Sequence, residues 1–334
     1  MTGALFAVGL SGTSITAGEH AILERHPPRG VILFRRNIEG LAQLGALVSE
    51  LRARGLLVLL DQEGGPVDRL RELLGPSISL RQATERGVAR EAGELAGEAC
   101  ARLGFSVDLA PVVDRRLAGA SDVVLGDRCA AEDPVSVARA ANAFLTGLHA
   151  LGVGGCVKHF PGLGRAALDT HRGLPLIAPD RRERNLDLLP FRRTQRRARA
   201  VMISHAAGAD GLPASLSSAA IRRLLRGRLA FRGAVFSDDL EMGALSDFGD
   251  LPRRCVRASR AGCDLLLVCS RIEEYPECVR AVEREVSRQR RQEAAGRLED
   301  YGRHLRRIQR TARRPRPVPS LIAAIARLRG RASA

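Results

Sequence analysis
The chain has no tryptophan and two tyrosines, and aromatic residues make up 3% of it. A single-stranded nucleic acid would find almost nothing to stack on, because Tyr301 is the one aromatic residue in the densely basic stretch from Arg284 to Arg316. The apolar core must instead be built from Leu, Val, Ala and Ile. The seven cysteines are odd in number and form no C-x-x-C pair, so neither a disulfide framework nor a zinc site is expected. No apolar run approaches the length of a membrane span, and Met1 to Ser11 lacks the basic start and long apolar centre of a secretory signal. These absences lead to the expectation of a reduced, cytoplasmic, globular protein.

Lysine is the scarcest charged residue. Of 53 basic residues, 52 are arginine, and the exception is Lys158. Arginine and lysine are not interchangeable donors, so a chain that has kept one lysine has kept it where a compact ammonium is needed. Lys158 directly follows the apolar stretch 153–157 and opens Lys158-His159-Phe160-Pro161-Gly162, with Asp169-Thr170-His171 just beyond. A chance survivor on a solvated surface would not sit in such company. The formal charge of +16 raises polyanions as partners. The arginines are nevertheless interleaved with acids over most of the chain, and the 284–316 run reads as a solvated helical face. No specific nucleic acid partner is expected.

Eight short, mostly apolar runs recur at 5–8, 31–34, 56–60, 107–113, 153–157, 201–204, 234–236 and 265–268. The intervening stretches carry helical signals. Asp133 followed by Pro134 makes an N-cap with a first-turn proline, and Val137, Ala141, Phe144, Leu145 and Leu148 follow at helical spacing before Gly152. Further helices are predicted over 41–51, 85–103, 217–229 and 252–261. Strands that are apolar throughout, rather than alternating, suit a sheet covered by helices on one side and filled on the other. The prediction is a single-domain α/β protein, a (β/α)8 TIM barrel over residues 1–314. A Pro/Arg-rich link and a C-terminal helix extend it over 315–334. An open doubly wound sheet is disfavoured because no glycine-rich phosphate loop follows the first strand.

In such a barrel, the C-terminal ends of the strands and the loops after them make the active site. The unusual polar residues fall at those positions: Asp61-Gln62-Glu63-Gly64-Gly65 and Arg69, Asp114 and Gly126-Asp127-Arg128, Lys158 and His159, Asp169 and His171, His205, and Ser237-Asp238-Asp239. A mouth lined by carboxylates, arginines and a lysine suits a hydroxyl-rich ligand such as a sugar. The His and carboxylate spacings match no compact metal motif, so no metal is expected. For retaining glycoside cleavage, Asp238, just past a strand end, is the candidate nucleophile, and Asp169-x-His171 offers an acid/base histidine oriented by an aspartate. The plainer readings are that Asp238 and above all Asp239 cap a helix, and that Asp-x-His is a surface hydrogen bond.

Taken together, Asp61-Gln62-Glu63-Gly64-Gly65, Gly126-Asp127-Arg128, Lys158-His159-Phe160-Pro161-Gly162, Asp169-Thr170-His171 and Val235-Phe236-Ser237-Asp238-Asp239-Leu240 resemble the family-three glycoside hydrolases. The likeness is greatest to the short, single-domain bacterial β-N-acetylglucosaminidases of peptidoglycan recycling. It runs in order through roughly four-fifths of the chain and includes Leu188-Leu189-Pro190-Phe191-Arg192 and Pro213-Ala214-Ser215. The resemblance implies that Asp238 is the nucleophile and His171, paired with Asp169, the acid/base. It implies that Asp61, Arg69, Arg128, Lys158 and His159 bind the N-acetylglucosamine unit, with no cofactor or metal. It further implies a small carbohydrate substrate, a GlcNAc-β-1,4-anhydro-N-acetylmuramic acid muropeptide; a monomer is expected. The chain departs from the family pattern at Leu163, where a histidine is common, and at Pro66, where an arginine is common. A phosphorylase, a β-glucosidase and a non-catalytic barrel that binds muropeptides or polyanions are the rival readings.

Overall fold
The computed structural model describes residues 2–117, 124–166, 168–170 and 173–331. Strands β1 (Phe6–Gly9), β2 (Gly30–Leu33), β3 (Leu57–Leu60), β6 (Val107–Asp108), β7 (Gly154–Gly155), β8 (Val157–Phe160), β9 (Ala200–Ile203), β10 (Ala234–Asp239) and β11 (Leu265–Val268) form one parallel sheet. Its order is β7-β6-β3-β2-β1-β11-β10-β9-β8. The two ends of that order, β7 and β8, are halves of one extended segment interrupted at Cys156, so the sheet closes on itself as the predicted (β/α)8 barrel. A parallel bridge between Val112 and Lys158 completes the seam. The remaining pair, β4 (Gln62–Gly64) and β5 (Val67–Asp68), is an antiparallel hairpin standing on the loop after β3.

The strands are Val-, Leu- and Ile-rich and buried over their length, as expected when side chains fill the barrel and helices cover it. Most helices start where the sequence supplies a side-chain acceptor. The Asp133 side chain accepts from Ser136 N ahead of the helix Pro134–Ala150, and Asp250 and Ser287 do the same for Leu251–Ala261 and Arg288–Arg310. The stretch predicted as a helix over 85–103 runs from Ala89 to Leu103, and a separate short helix, Leu80–Glu85, precedes it. Gly87 takes φ +70° between them, a left-handed turn that ends the first helix. The segment predicted as an α-helix over 217–229 runs as a π-helix, Ala219–Arg228. The helices Ala89–Leu103 and Pro134–Ala150 cross with backbones nearly touching. A Cβ on Gly93 would lie 2.1 Å from Phe144 O, and one on Gly147 2.3 Å from Arg90 O.

Beyond the link, the helix Val318–Gly330 buries Leu321, Ile325 and Leu328 in the same apolar core as the barrel strands. Arginines of the link and of the helix end pair with acids of the helix Ala89–Leu103: Arg313 with Glu94 (3.0 Å), Arg316 with Glu98 (3.1 Å) and Arg331 with Glu91 (3.4 Å).

The basic helix Arg288–Arg310 is not the uniformly solvated face its composition suggests. At the end of the barrel away from the mouth, Asp264 just before β11 is fully buried and receives Arg226 (2.6 Å), Arg290 (2.9 Å) and Arg297 (3.2 Å). The backbone N–H of Val235 adds a fourth donor at 2.9 Å. Arg290 also donates to the carbonyls of Ser259 (2.9 Å) and Cys263 (2.6 Å). Burial holds the Arg226 guanidinium down to about 10, against the pull of Asp264. Removing one partner of a buried charge cluster costs far more than an exposed pair, since it strands the others. Asp264→Ala is therefore expected to destabilise the fold by about 3–5 kcal/mol, read from a denaturant unfolding curve; a loss within experimental error would refute the assignment. On the same face, His149 and His304 meet edge-to-face at 5.2 Å. Burial, then neighbouring positive groups, lowers His149 to about 3 and His304 to about 4, from an ordinary 6.5. The unfolded chain therefore binds more protons than the native one between these values. Stability from the pair is complete above pH 6.5 and is lost as pH falls toward 4 and then 3. Replacing both histidines by asparagine should flatten that acid limb in a pH series of melting temperatures.

Candidate active site
One side of the mouth is built around Lys158. Strand β8 carries its ammonium into the barrel, 2.6 Å from Asp61 Oδ1 and 2.5 Å from Glu63 Oε1. Arg128 closes on the same Glu63 with a bidentate contact, Nε to Oε2 at 2.8 Å and Nη2 to Oε1 at 2.9 Å. Arg69 lies 3.9 Å from the other oxygen of Asp61 and over the Phe34 ring. Lys158 and Glu63 are almost wholly buried. Burial alone would favour the neutral forms of both, but the opposite charges win. Arg128 and Lys158 hold Glu63 well below the usual carboxylate range, and Asp61 and Glu63 hold Lys158 above its ordinary value. The loop that delivers Asp61 and Glu63 is pinned by the residue between them. Gln62 N donates to Asp108 (2.9 Å), its amide to Asp68 (2.6 Å), and its carbonyl oxygen accepts from Leu70 N (3.2 Å). Asp108 is itself fully buried, and that burial pushes its carboxyl up.

His159 points the other way round the mouth. Asp114 accepts from both its Nδ1 (2.7 Å) and its backbone N–H (3.1 Å), while Nε2 lies 3.2 Å from Arg128 Nη2. A carboxylate can only accept, so Asp114 fixes Nδ1 as a donor and turns Nε2 toward Arg128. The second oxygen of Asp114 takes the N–H of Leu163 at 2.6 Å, tying the start of the next loop to the same anchor. Leu163 then packs in a small apolar cluster with Leu125, Cys129, Ala166 and Ala206. Leu163 thus serves packing under the loop. Pro66 caps the β4–β5 hairpin and lines an outer groove shared with the terminal helix.

Opposite stands the end of β10. Asp238 Oδ1 accepts from Asp239 N at 2.9 Å. Burial raises the Asp238 carboxyl, but His205, His159, that N–H and Lys158 together bring it below its ordinary value, so it is an anion at neutral pH. Neither acid caps a helix. Asp239 Oδ1 accepts from Glu241 N at 3.1 Å in a local turn, and a short 3-10 stretch, Gly243–Phe248, begins only later. Burial, with Glu241 and Asp238 close by, pushes Asp239 up to about 7. The segment is clamped from both sides. His205 Nε2 donates to Asp239 O at 2.7 Å while Nδ1 meets Ser215 Oγ at 2.7 Å. Glu241 accepts from three successive backbone N–H groups, Cys269 (2.5 Å), Ser270 (2.6 Å) and Arg271 (2.8 Å), and from Arg271 Nε (3.0 Å).

Asp169 lies on the long loop after β8, and His171 lies outside the described residues. Thr170 O accepts from Ala244 N at 3.0 Å, which sets this loop against the one that follows Asp238. The structure therefore gathers Asp61, Arg69, Arg128, Lys158, His159 and Asp238 at one mouth. Glu63, Asp114, His205 and Glu241 belong to the same constellation although the sequence reading assigned them no role. Their one signal was position, since the first three stand at strand ends beside residues that were singled out. Among the described residues no group of three His, Cys, Asp or Glu side chains is arranged to hold a metal.

Comparison with known proteins agrees with this geometry. Residues 5–301 match the glycosyl hydrolase family 3 N terminal domain. A beta-hexosaminidase of Thioalkalivibrio sulfidiphilus is 38% identical over 291 residues, covering 83% of each chain. A beta-hexosaminidase of Pseudomonas aeruginosa is 39% identical over 280 residues, 81% of this chain and 83% of that one. Among solved structures, NagZ from Neisseria gonorrhoeae in complex with N-trifluoroacetyl-D-glucosamine superposes with TM-score 0.83 at 28% identity, covering 99% of this chain and 98% of that one. A family 3 beta-N-acetylglucosaminidase from Paenibacillus gives TM-score 0.85 at 32% identity over 93% of this chain, which spans 62% of that longer one. With a barrel that closes at β7 and β8 and strand-end acids and bases converging on its mouth, the chain belongs to glycoside hydrolase family 3.

Proposed function
We propose that the protein is a retaining β-N-acetylhexosaminidase that removes terminal β-linked N-acetylglucosamine, with muropeptides of cell-wall recycling in the cytoplasm as its natural substrates. The observation that carries this reading is the anionic Asp238 carboxylate, clamped at the end of β10 and electrostatically coupled to His159 and Lys158 of the opposite wall. That wall offers Asp61, Arg69, Arg128, Lys158 and His159 to sugar hydroxyls, and the names of the relatives support the choice of an N-acetylhexosamine.

In the proposed reaction Asp238 attacks the anomeric carbon as the bond to the departing oxygen breaks, and His171, oriented by Asp169, gives that oxygen its proton. Water then attacks the glycosyl-aspartate, His171 takes the water proton, and Asp238 leaves as a carboxylate. Ionised Asp238 is the form this step needs, and Asp239, pushed up to about 7, adds less than a full negative charge beside it at neutral pH.

Asp238→Ala is expected to abolish hydrolysis of 4-nitrophenyl N-acetyl-β-glucosaminide, and a 5-fluoro N-acetylglucosaminyl fluoride, which keeps the 2-acetamido group, to label Asp238 in the wild type by mass spectrometry. Normal turnover by the variant would remove Asp238 from the role, and equal rates on the glucoside would move the activity to a β-glucosidase. The same assay with added phosphate separates hydrolysis from phosphorolysis by its product. His171→Ala should lose at least about tenfold more activity on a disaccharide than on the nitrophenyl glycoside, because an activated leaving group needs little protonation. Equal losses on both would take the acid role away from His171.

A further inference from the structure
We propose that the end of the barrel away from the mouth carries a further binding site, a cavity rimmed by Arg196, Arg199 and Arg232 that takes a small hydroxylated phosphate monoester of the sugar phosphate class. Its existence does not depend on the hexosaminidase reading. The cavity encloses about 320 Å³ between the last turn of the helix Arg181–Ala198 and the segment 229–233 that leads into β10. Gln195, Leu229, Ala230, Phe231 and Gly233 complete its lining. Arg199 directly precedes β9 and Gly233 directly precedes β10, neighbouring parallel strands. The arginines therefore stand at strand starts, opposite the end that carries Asp238.

The backbone is strained at this cavity. Among the described residues, Arg199 at φ +62° and Ala230 at φ +54° are the two non-glycine residues in the left-handed region, and both line it. A side chain there is unfavourable where glycine would be at ease, and such residues persist only when rigid surroundings hold them. Here they do. Ala234 N donates to Arg199 O at 3.0 Å, and a Cβ on Gly233 would lie 2.3 Å from the same oxygen, so the two strand entries run in contact. Arg226, fixed by Asp264 at 2.6 Å, donates to the carbonyls of Phe231 (3.2 Å) and Gly233 (2.6 Å) and lies over the Phe231 ring. The walls are thus tied to the buried charge cluster at this end of the barrel, while Arg196, Arg199 and Arg232 are exposed.

The polar groups left unmet define the ligand. Gln195 is 5% exposed; its amide nitrogen donates to Leu229 O at 2.8 Å, and its buried oxygen has no hydrogen-bond donor among the described residues. That oxygen can only accept, so its complement is a hydroxyl or an N–H. No carboxylate stands among the lining residues to neutralise the three guanidinium groups. One guanidinium fork satisfies a carboxylate, whereas three around one space match the three terminal oxygens and double charge of a phosphate monoester. Buried Leu229 and Phe231 offer an apolar floor to its carbon frame, and Gln195 an acceptor to its hydroxyl. The volume exceeds what a free phosphate needs and lies at the small end of ligand sites.

Isothermal titration of the full chain with glucose 6-phosphate tests the site, with glucose, inorganic phosphate and sulfate at matched ionic strength as controls. Glucose 6-phosphate should bind at one site at least about tenfold more tightly than inorganic phosphate, the factor of one added hydrogen-bonded contact, and glucose should give no binding heat. Arg232→Glu should weaken that binding by at least about tenfold. Arg199→Gly separates binding from folding: glycine removes the guanidinium and the strain together, so affinity should fall by about tenfold or more while the melting temperature holds or rises. Equal affinity for glucose 6-phosphate, phosphate and sulfate would reduce the rim to nonspecific attraction of anions and overturn the site. So would no binding of glucose 6-phosphate. Wild-type affinity in Arg199→Gly, whatever its melting temperature, would assign the strained residue to the fold and overturn it as well. None of these readouts depends on glycoside hydrolysis.

Discussion
A single buried ammonium held between two carboxylates is the constraint on which the rest of the site depends. Lys158 brings Asp61 and Glu63 together at 2.6 and 2.5 Å, and without it those anions would face each other in a water-poor cleft. Glu63 in turn orients Arg128 through two parallel hydrogen bonds, and Arg128 reaches His159, whose ring is oriented by Asp114. The side chains from the loop after β3, the 3-10 turn at Gly126–Arg128 and strand β8 therefore form one connected ionic network, not a set of independent contacts. Such a network is costly to desolvate and is stable only when every member has its partner. It is also preorganised, because none of these groups must move to present donors and acceptors to a sugar.

The opposite wall, at the end of β10, uses another device. Among the described residues Asp238 makes no salt bridge; its segment is aimed by the backbone. The Asp238–Glu241 segment is held by His205 on one side and by three consecutive backbone N–H groups on the other, so the carboxylate is placed by hydrogen bonds made by its neighbours. The far end of the barrel shows the same economy with charge. Asp264 gathers three arginines drawn from two different helices and locks the closing elements of the fold to β10 and β11.

Much of this was legible in the chain. Eight apolar runs with helical stretches between them implied a closed parallel barrel, and the lone lysine implied a site, because in both cases the information is local. Burial of a strand is written in its own residues, and a retained lysine in a chain of arginines stands out by composition. Partnership is not local. Glu63 and Asp114 looked no different from other strand-end acids until the barrel brought them to Lys158, Arg128 and His159. Arg290 looked like one more residue of a solvated basic face until β11 placed Asp264 beneath it. The turn at Gly87 and the π-helix at Ala219–Arg228 were likewise hidden, because hydrophobic spacing at this length does not fix where a helix begins or separate one helical pitch from another.

By itself, then, the sequence determined the fold class, the end of the barrel that carries the chemistry and the residue types available there, since these follow from periodicity and strand-end position. Only the tertiary structure decided which charges are paired: Lys158 with Asp61 and Glu63, Arg128 with Glu63, and Asp264 with its three arginines. The physical reason is that an ionic interaction acts through space and through the dielectric around it, and residues 97 positions apart, such as Asp61 and Lys158, acquire a distance and a shared burial only when the barrel closes.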